Sequence, residues 1–217
     1  AGYEMARSEI SSFDAAVVVA QDPRAALASA AALWFARQPG TVVAVTGTNG
    51  KTSVASFCQQ IWAELGYSSV NIGTTGVEGA WTAPLAHTTP DPLTLHSILC
   101  AAAEAGVTHA AMEASSHGLD QRRLEGVRLT AAGFTNISQD HLDYHDNFEK
   151  YFEAKAGLFD RVLPQDCPAV INSDTQKGLA LADRLKQRDQ RVITIGQNET
   201  ADLRLMAQRF SPRGQDI

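Results

Sequence analysis

Cysteine is scarce and scattered. Cys58, Cys100 and Cys167 are odd in number, lie far apart and show no metal-ligand spacing. That pattern excludes a disulfide framework and points to free thiols in a reducing compartment, the cytoplasm. Long hydrophobic runs are lacking too. The longest apolar stretches, 14–20 and 25–36, are too short or too interrupted for a membrane span. No basic segment precedes an apolar one, so no signal peptide is read. Positive charge is not in excess either. A net charge of −6 argues against a nonspecific nucleic-acid binder or a protein drawn to anionic membranes. Internal repeats are absent, and the one biased tract is the Ala-rich stretch 25–36, which reads as a helix of a preceding domain or linker.

What is present is an ordinary globular composition, 44% hydrophobic and 19% charged over 217 residues. That suffices for one large α/β domain, or one domain plus a remnant of another. From residue 41 onward strand and helix patterns alternate, which predicts a mostly parallel sheet flanked by helices. Strand 41–46 (TVVAVT) is continuously apolar and suits a sheet buried on both faces. A helix over 52–65 follows, with Gly66 as its stop. Strand 68–72 runs into a loop, GTTG at 73–76. Asp91-Pro92 offers an N-cap and a first-turn proline for a helix ending near Gly106. Strand 108–113, a short helix around 119–124 and strand 130–136 come next. A helix over 147–163, strand 169–172, a helix over 175–188 and strand 191–195 complete the alternation. Residues 202–210 read as a further strand and SPRG at 211–214 as a turn, with no room for the returning strand. Together with the lack of an initial methionine, this predicts a piece of a longer protein.

Four groups of residues carry chemistry. The first is TGTNGKTS at 46–53, set between a buried strand and an amphipathic helix. Such a loop cradles phosphate oxygens with backbone N–H groups and the positive end of the following helix. Gly47, Thr48, Asn49, Gly50, Lys51, Thr52 and Ser53 are therefore the candidate nucleotide-binding residues. Lys51 would meet the terminal phosphates, and the Thr52 hydroxyl a magnesium ion. Val45 stands where the strict P-loop pattern has glycine, so the match is to a shorter form, GxxGKT.

The second is Glu113, which closes an apolar strand at the carboxyl edge of the sheet, where open α/β proteins bind ligands. It would hold magnesium; the alternative is an exposed strand-end glutamate. The third is the polar segment 135–147, TNISQDHLDYHDN, in which Asp140 and His141 follow a strand end. The fourth is Lys155. On the helical wheel of 147–163 it falls inside the apolar stripe of Phe148, Tyr151, Phe152, Phe159 and Val162, while Lys150 points away. A lysine there is costly unless paired or neutral. Burial favours the neutral amine, which can take up carbon dioxide as a carbamate; the alternative is snorkelling to water.

Together these groups resemble the Mur ligases, and most closely the tripeptide-forming MurE type. The resemblance covers roughly 40–210 and rests on TGTNGKT, HTTPDP at 87–92, MEASSHGLDQRRLEG at 112–126, and FTNISQDHLDYH followed by AK at 154–155. It implies a P-loop NTPase-like Mur ligase central domain and an ATP-dependent amide ligase of peptidoglycan synthesis. The substrate carboxylate would be that of D-glutamate in UDP-N-acetylmuramoyl-L-alanyl-D-glutamate. ATP would convert it to an acyl phosphate, and the amine of a diamino acid would displace phosphate; the strings favour meso-diaminopimelate over lysine by likeness to Gram-negative members, and the sequence does not decide between them. By the same resemblance Lys51, His141 and Lys155 are catalytic, the last as a carbamate. Thr52, Glu113, His141 and Lys155 would hold two Mg²⁺ ions. Thr88, Thr89, Ser115, Gln121 and Arg123 would contact the UDP-muramoyl substrate.

The resemblance further implies three domains. Residues 1–38 would be the tail of an N-terminal UDP-binding domain or linker, and 39–217 a truncated central ATP-binding domain. The amino-acid-binding C-terminal domain would be missing, so the chain alone is expected to lack turnover. Folylpolyglutamate synthase shares the fold and mechanism and is the rival enzyme reading, although nothing favours it over the SSHGL and DHLDYH strings. A generic phosphate-loop switch or binding module leaves Lys155 and SSHGLDQRR unexplained.

Overall fold

In the computed structural model the described residues are 18–138, 144–212 and 214–216. The strands are β1 (Thr41–Thr46), β2 (Ser69–Gly73), β3 (Gly76–Gly79), β4 (His109–Glu113), β5 (Ala131–Phe134), β6 (Ala169–Asn172), β7 (Val192–Gly196), β8 (Leu203–Arg204), β9 (Arg209–Ser211) and β10 (Gly214–Asp216). The helices are α1 (Pro23–Phe35), α2 (Lys51–Glu64), α3 (Pro92–Glu104), α4 (Ser116–Asp120), α5 (Phe148–Gly157) and α6 (Gln176–Lys186). Eight strands form one sheet in the order β3-β2-β4-β1-β5-β6-β7-β8, parallel except for β3. The expected mostly parallel α/β fold is therefore present.

Strand alternation builds the core. Val42, Ala44, Val70, Ile72, Ala110, Met112, Ala132, Phe134, Ala169 and Ile171 point to one face, against apolar residues of α3, α5 and α6. The opposite face is covered less completely: Val43 is half-buried beside an apolar cleft of about 500 Å³ that it shares with Val54, Cys58 and Trp62 of α2. Full burial of β1 on both faces was the expectation. It holds for the α3 side, and on the α2 side for Val45 but not Val43.

Several elements differ from the sequence reading. GTTG is not an open loop but the two-residue turn of a hairpin, Gly73 pairing with Gly76. β3 escaped notice because it is four residues long, too short for a period-2 pattern. The short helix starts at Ser116 rather than 119. Ser115 caps it by accepting the Gly118 N–H at 3.1 Å, and the chain leaves the helix before Arg122, whose φ is +60°. The predicted helix 147–163 becomes a π-turn at Leu158–Val162, closed by Leu163 N–H donating to Leu158 O at 2.9 Å. The predicted strand 202–210 divides into β8 and β9. A returning strand, β10, does pair antiparallel with β9, so its expected absence is corrected. The Ala-rich stretch forms α1, which buries Ala28 and Ala31 and is tied down by an Asp22–Arg122 ion pair at 3.0 Å.

Two tight spots in this framework can be tested. His96 of α3 is 1% exposed and its Nε2 pairs with the Glu125 carbonyl at 3.0 Å. Burial pushes its pKa below the ordinary histidine value and Arg128 adds to the depression, against the opposing Glu125 bond. A histidine depressed in the folded state contributes stability that is full above its unfolded pKa and is lost as pH falls through the folded one. Thermal stability should therefore drop between about pH 7 and pH 5, around the usual histidine value, and His96→Gln should flatten that slope. A variant as acid-sensitive as the parent would clear His96 of the effect.

Gly73 is the second spot, because a Cβ built there would lie 2.1 Å from Glu113 Oε1. Gly73→Ala should cost about 1–3 kcal/mol in urea unfolding. Gly40→Ala, with nothing within 4 Å of its Cβ, should stay within about 0.5 kcal/mol.

Candidate functional site

Strand order creates the site. The chain builds β1, β2 and β4 on one side, then crosses β1 to form β5, so the loops after β1, β4 and β5 open at one crevice. The loop after β1 turns into α2 at Gly50, whose φ of +84° suits glycine. The end of β5 fixes its shape. Thr48 N–H donates to the Asn136 carbonyl at 3.0 Å, and Asn49 N–H donates to Asn136 Oδ1 at 3.0 Å. Thr135 Oγ1 donates to Asn49 O at 2.6 Å. From α5, the buried Tyr151 hydroxyl shares a hydrogen bond with Thr48 Oγ1 at 3.1 Å.

Two lysines meet at this loop. Lys51 Nζ donates to Gly47 O at 2.9 Å and to Thr48 O at 2.8 Å. Lys155 Nζ donates to the same Gly47 carbonyl at 2.8 Å and sits 4.4 Å from the Tyr151 ring centroid. Lys155 is 1% exposed, so it does not snorkel to water. The two side chains are thereby held side by side at one carbonyl oxygen.

Across the crevice, Glu113 is buried at the end of β4 rather than exposed. Its Oε1 accepts the Thr74 N–H at 2.9 Å. Thr89 Oγ1 donates to Glu113 O at 2.9 Å and accepts the Ser115 N–H at 2.9 Å. Arg123 is locked by three contacts, Nη1 to Thr89 O at 2.6 Å and Nε and Nη2 to Gln121 Oε1 at 3.1 and 2.7 Å. Gln121 in turn donates to the Tyr144 hydroxyl at 3.1 Å.

These groups enclose a cavity of about 550 Å³. Of the residues expected at the site, Thr48, Asn49, Gly50, Lys51, Thr52, Thr88, Thr89, Glu113, Ser115, Arg123 and Lys155 line it. Gly47 stands behind the wall as the carbonyl that both lysines use. Gln121 does not line the cavity but braces Arg123. Ser53 faces the apolar cleft beside α2 instead. His141 and Asp140 lie outside the described residues. Sequence reasoning missed Thr74, which reaches Glu113 through its backbone, and treated Tyr151 only as core. The tyrosine's position one turn before Lys155 was the signal available.

The residues present fit a magnesium nucleotide. The loop presents backbone N–H groups at the start of a 14-residue helix. Lys51, Thr52, Glu113 and Lys155 share one cavity, and the Thr46 hydroxyl beside the loop is buried without a hydrogen-bond partner. Among the described residues no group of three or more His, Cys, Asp or Glu side chains could hold a metal, so this donor set is mixed.

The profile of the Mur ligase middle domain family matches residues 45–217. A UDP-N-acetylmuramoyl-L-alanyl-D-glutamate--2,6-diaminopimelate ligase of Mesorhizobium japonicum is 51% identical over 183 residues, 84% of this chain and 38% of that protein. The chain thus spans well under half of the curated relative it matches. A solved structure of a UDP-N-acetylmuramoyl-L-alanyl-D-glutamate--2,6-diaminopimelate ligase aligns with a TM-score of 0.79 at 32% identity, over 91% of this chain and 41% of that one. A Mycobacterium tuberculosis folylpolyglutamate synthase complexed with ADP aligns with a TM-score of 0.68 at 18% identity, over 89% of this chain and 49% of that one, a likeness of fold alone. By its sequence match over four-fifths of its length and by its fold, the chain belongs to the Mur ligase family as a middle domain.

Proposed function

We propose that this chain is the central, ATP-binding part of a ligase that joins a diamino acid to UDP-N-acetylmuramoyl-L-alanyl-D-glutamate. One observation carries the reading: a phosphate loop, a buried strand-end carboxylate and a buried lysine line a single cavity. The substrate and 2,6-diaminopimelate are carried over from the names of relatives that match at about half identity. Residues 39–217 are the central domain. Residues 1–38 are the tail of a preceding UDP-binding domain or linker, and the amino acid is recognised by a following domain.

The chain's own groups divide the work. Backbone N–H groups of 50–52 at the α2 N-terminus hold the β- and γ-phosphates of ATP. Lys51, released from the carbonyls of its own loop, follows the γ-phosphoryl group as it moves to the D-glutamate carboxylate. Two magnesium ions, when bound, neutralise charge on that phosphoryl group and align the attacking oxygen. Thr52 and Glu113 would hold them, with His141 and Lys155, the latter as a carbamate. Thr88, Thr89, Ser115 and Arg123 grip the muramoyl substrate, Gln121 fixing the guanidinium. Attack of the amine on the acyl phosphate forms the amide and expels phosphate, leaving ADP.

The full-length enzyme tests this. Glu113→Gln and Lys51→Met should each lower kcat by about 100-fold or more, since each removes charge aimed at the transferring group. Lys155→Ala should do the same, and added short-chain carboxylates should restore part of the rate. A Lys155→Ala enzyme with normal turnover would end the carbamate assignment. The chain 1–217 alone should make no tripeptide, and measurable synthesis by it would overturn the division of labour.

A further inference from the structure

The wall of the cavity between Glu113 and Arg123 is rich in hydroxyl groups, and most take part in a hydrogen bond. Thr89 Oγ1 is used on Glu113 O and Ser115 N–H. Ser115 Oγ is used on Gly118 N–H. The Thr74 and Thr88 hydroxyls bond each other at 3.0 Å. Ser116 is the exception. It is 1% exposed, it lines the cavity, and its Oγ has no hydrogen-bond partner. Burying a hydroxyl unpaired destabilises a fold, so an acceptor supplied from the cavity is the natural complement. Arg123, a guanidinium suited to an anionic group, lines the same cavity.

We propose that Ser116 is a substrate-binding residue whose hydroxyl donates a hydrogen bond to a carboxylate oxygen of the molecule to be activated. The proposal rests on the ligase reading above and adds to it a contact that positions the attacking oxygen. Ser116 lies three residues beyond Glu113 and next to Ser115, whose N–H is bound by Thr89, the partner of Arg123. The muramoyl dipeptide, rather than the nucleotide, is therefore the partner.

The test is steady-state kinetics and thermal melting of the full-length ligase carrying Ser116→Ala. One hydrogen bond to a charged group predicts a KM for UDP-N-acetylmuramoyl-L-alanyl-D-glutamate raised about 10-fold or more. The KM for ATP should stay within about twofold, since no nucleotide contact is removed. The melting temperature should be unchanged or rise by a few degrees, because no internal bond is lost and a buried unpaired hydroxyl is removed. Ser116→Thr, which keeps the hydroxyl, should recover part of the loss. A rise confined to the KM for ATP would overturn the proposal in favour of a nucleotide contact. A lower melting temperature with unchanged kinetics would overturn it in favour of a structural hydroxyl. If the wild-type enzyme makes no tripeptide, the ligase reading fails. If it does and Ser116→Ala keeps the parent's KM values, only the Ser116 assignment fails.

Discussion

The carbonyl oxygen of Gly47 is the point on which the site depends. It accepts from Lys51 of its own loop and from Lys155 of α5. The same loop is pinned by Thr135 and Asn136 at the end of β5 and by Tyr151 one turn before Lys155. Three elements distant in sequence are thereby closed around four residues of backbone. A glycine-rich turn left to itself samples many conformations. Held this way, the loop is shaped in advance, so the proposed phosphate binding would need little further ordering. The clamp also explains why a lysine is tolerated at the centre of α5's apolar stripe: its nitrogen has a partner where it is buried.

A second frame holds the opposite wall. The Gly73–Gly76 hairpin brings Thr74 N–H against Glu113, and Gly73 allows that approach because it carries no Cβ. Thr89 bridges the Glu113 carbonyl and the start of α4, and Arg123 ties itself to Thr89. The carboxylate, the substrate-side threonines and the guanidinium therefore form one rigid unit. Such support by neighbours whose own contacts are fixed is what keeps reacting groups in register.

Much of the fold was legible because the signals were local. Buried parallel strands declare themselves as apolar runs, and proline after an N-cap aspartate announces α3. Elements governed by pairing or by single contacts were harder. β3 has two buried residues to show, Gly76 and Val77, and its partner supplies the rest. β9 and β10 exist as each other's partners and bury nothing. The start of α4 was set by the Ser115 cap, and the π-turn after α5 by the single Leu163-to-Leu158 backbone hydrogen bond, neither of which leaves a periodic trace.

For the site, residue identity was readable and residue relation was not. The sequence by itself determined the phosphate loop, the strand-end carboxylate and the misplaced lysine, because each breaks or completes a local pattern. It also carried the strings that mark the family. Only the tertiary structure decided that Lys51 and Lys155 share one carbonyl, that Gln121 serves Arg123, that Ser53 faces away, and that Ser116 Oγ is buried without a hydrogen-bond partner. The physical reason is that hydrogen-bond commitment is a property of neighbours in space. Those neighbours are brought together by the order of strands in the sheet, and a single chain read end to end does not state that order.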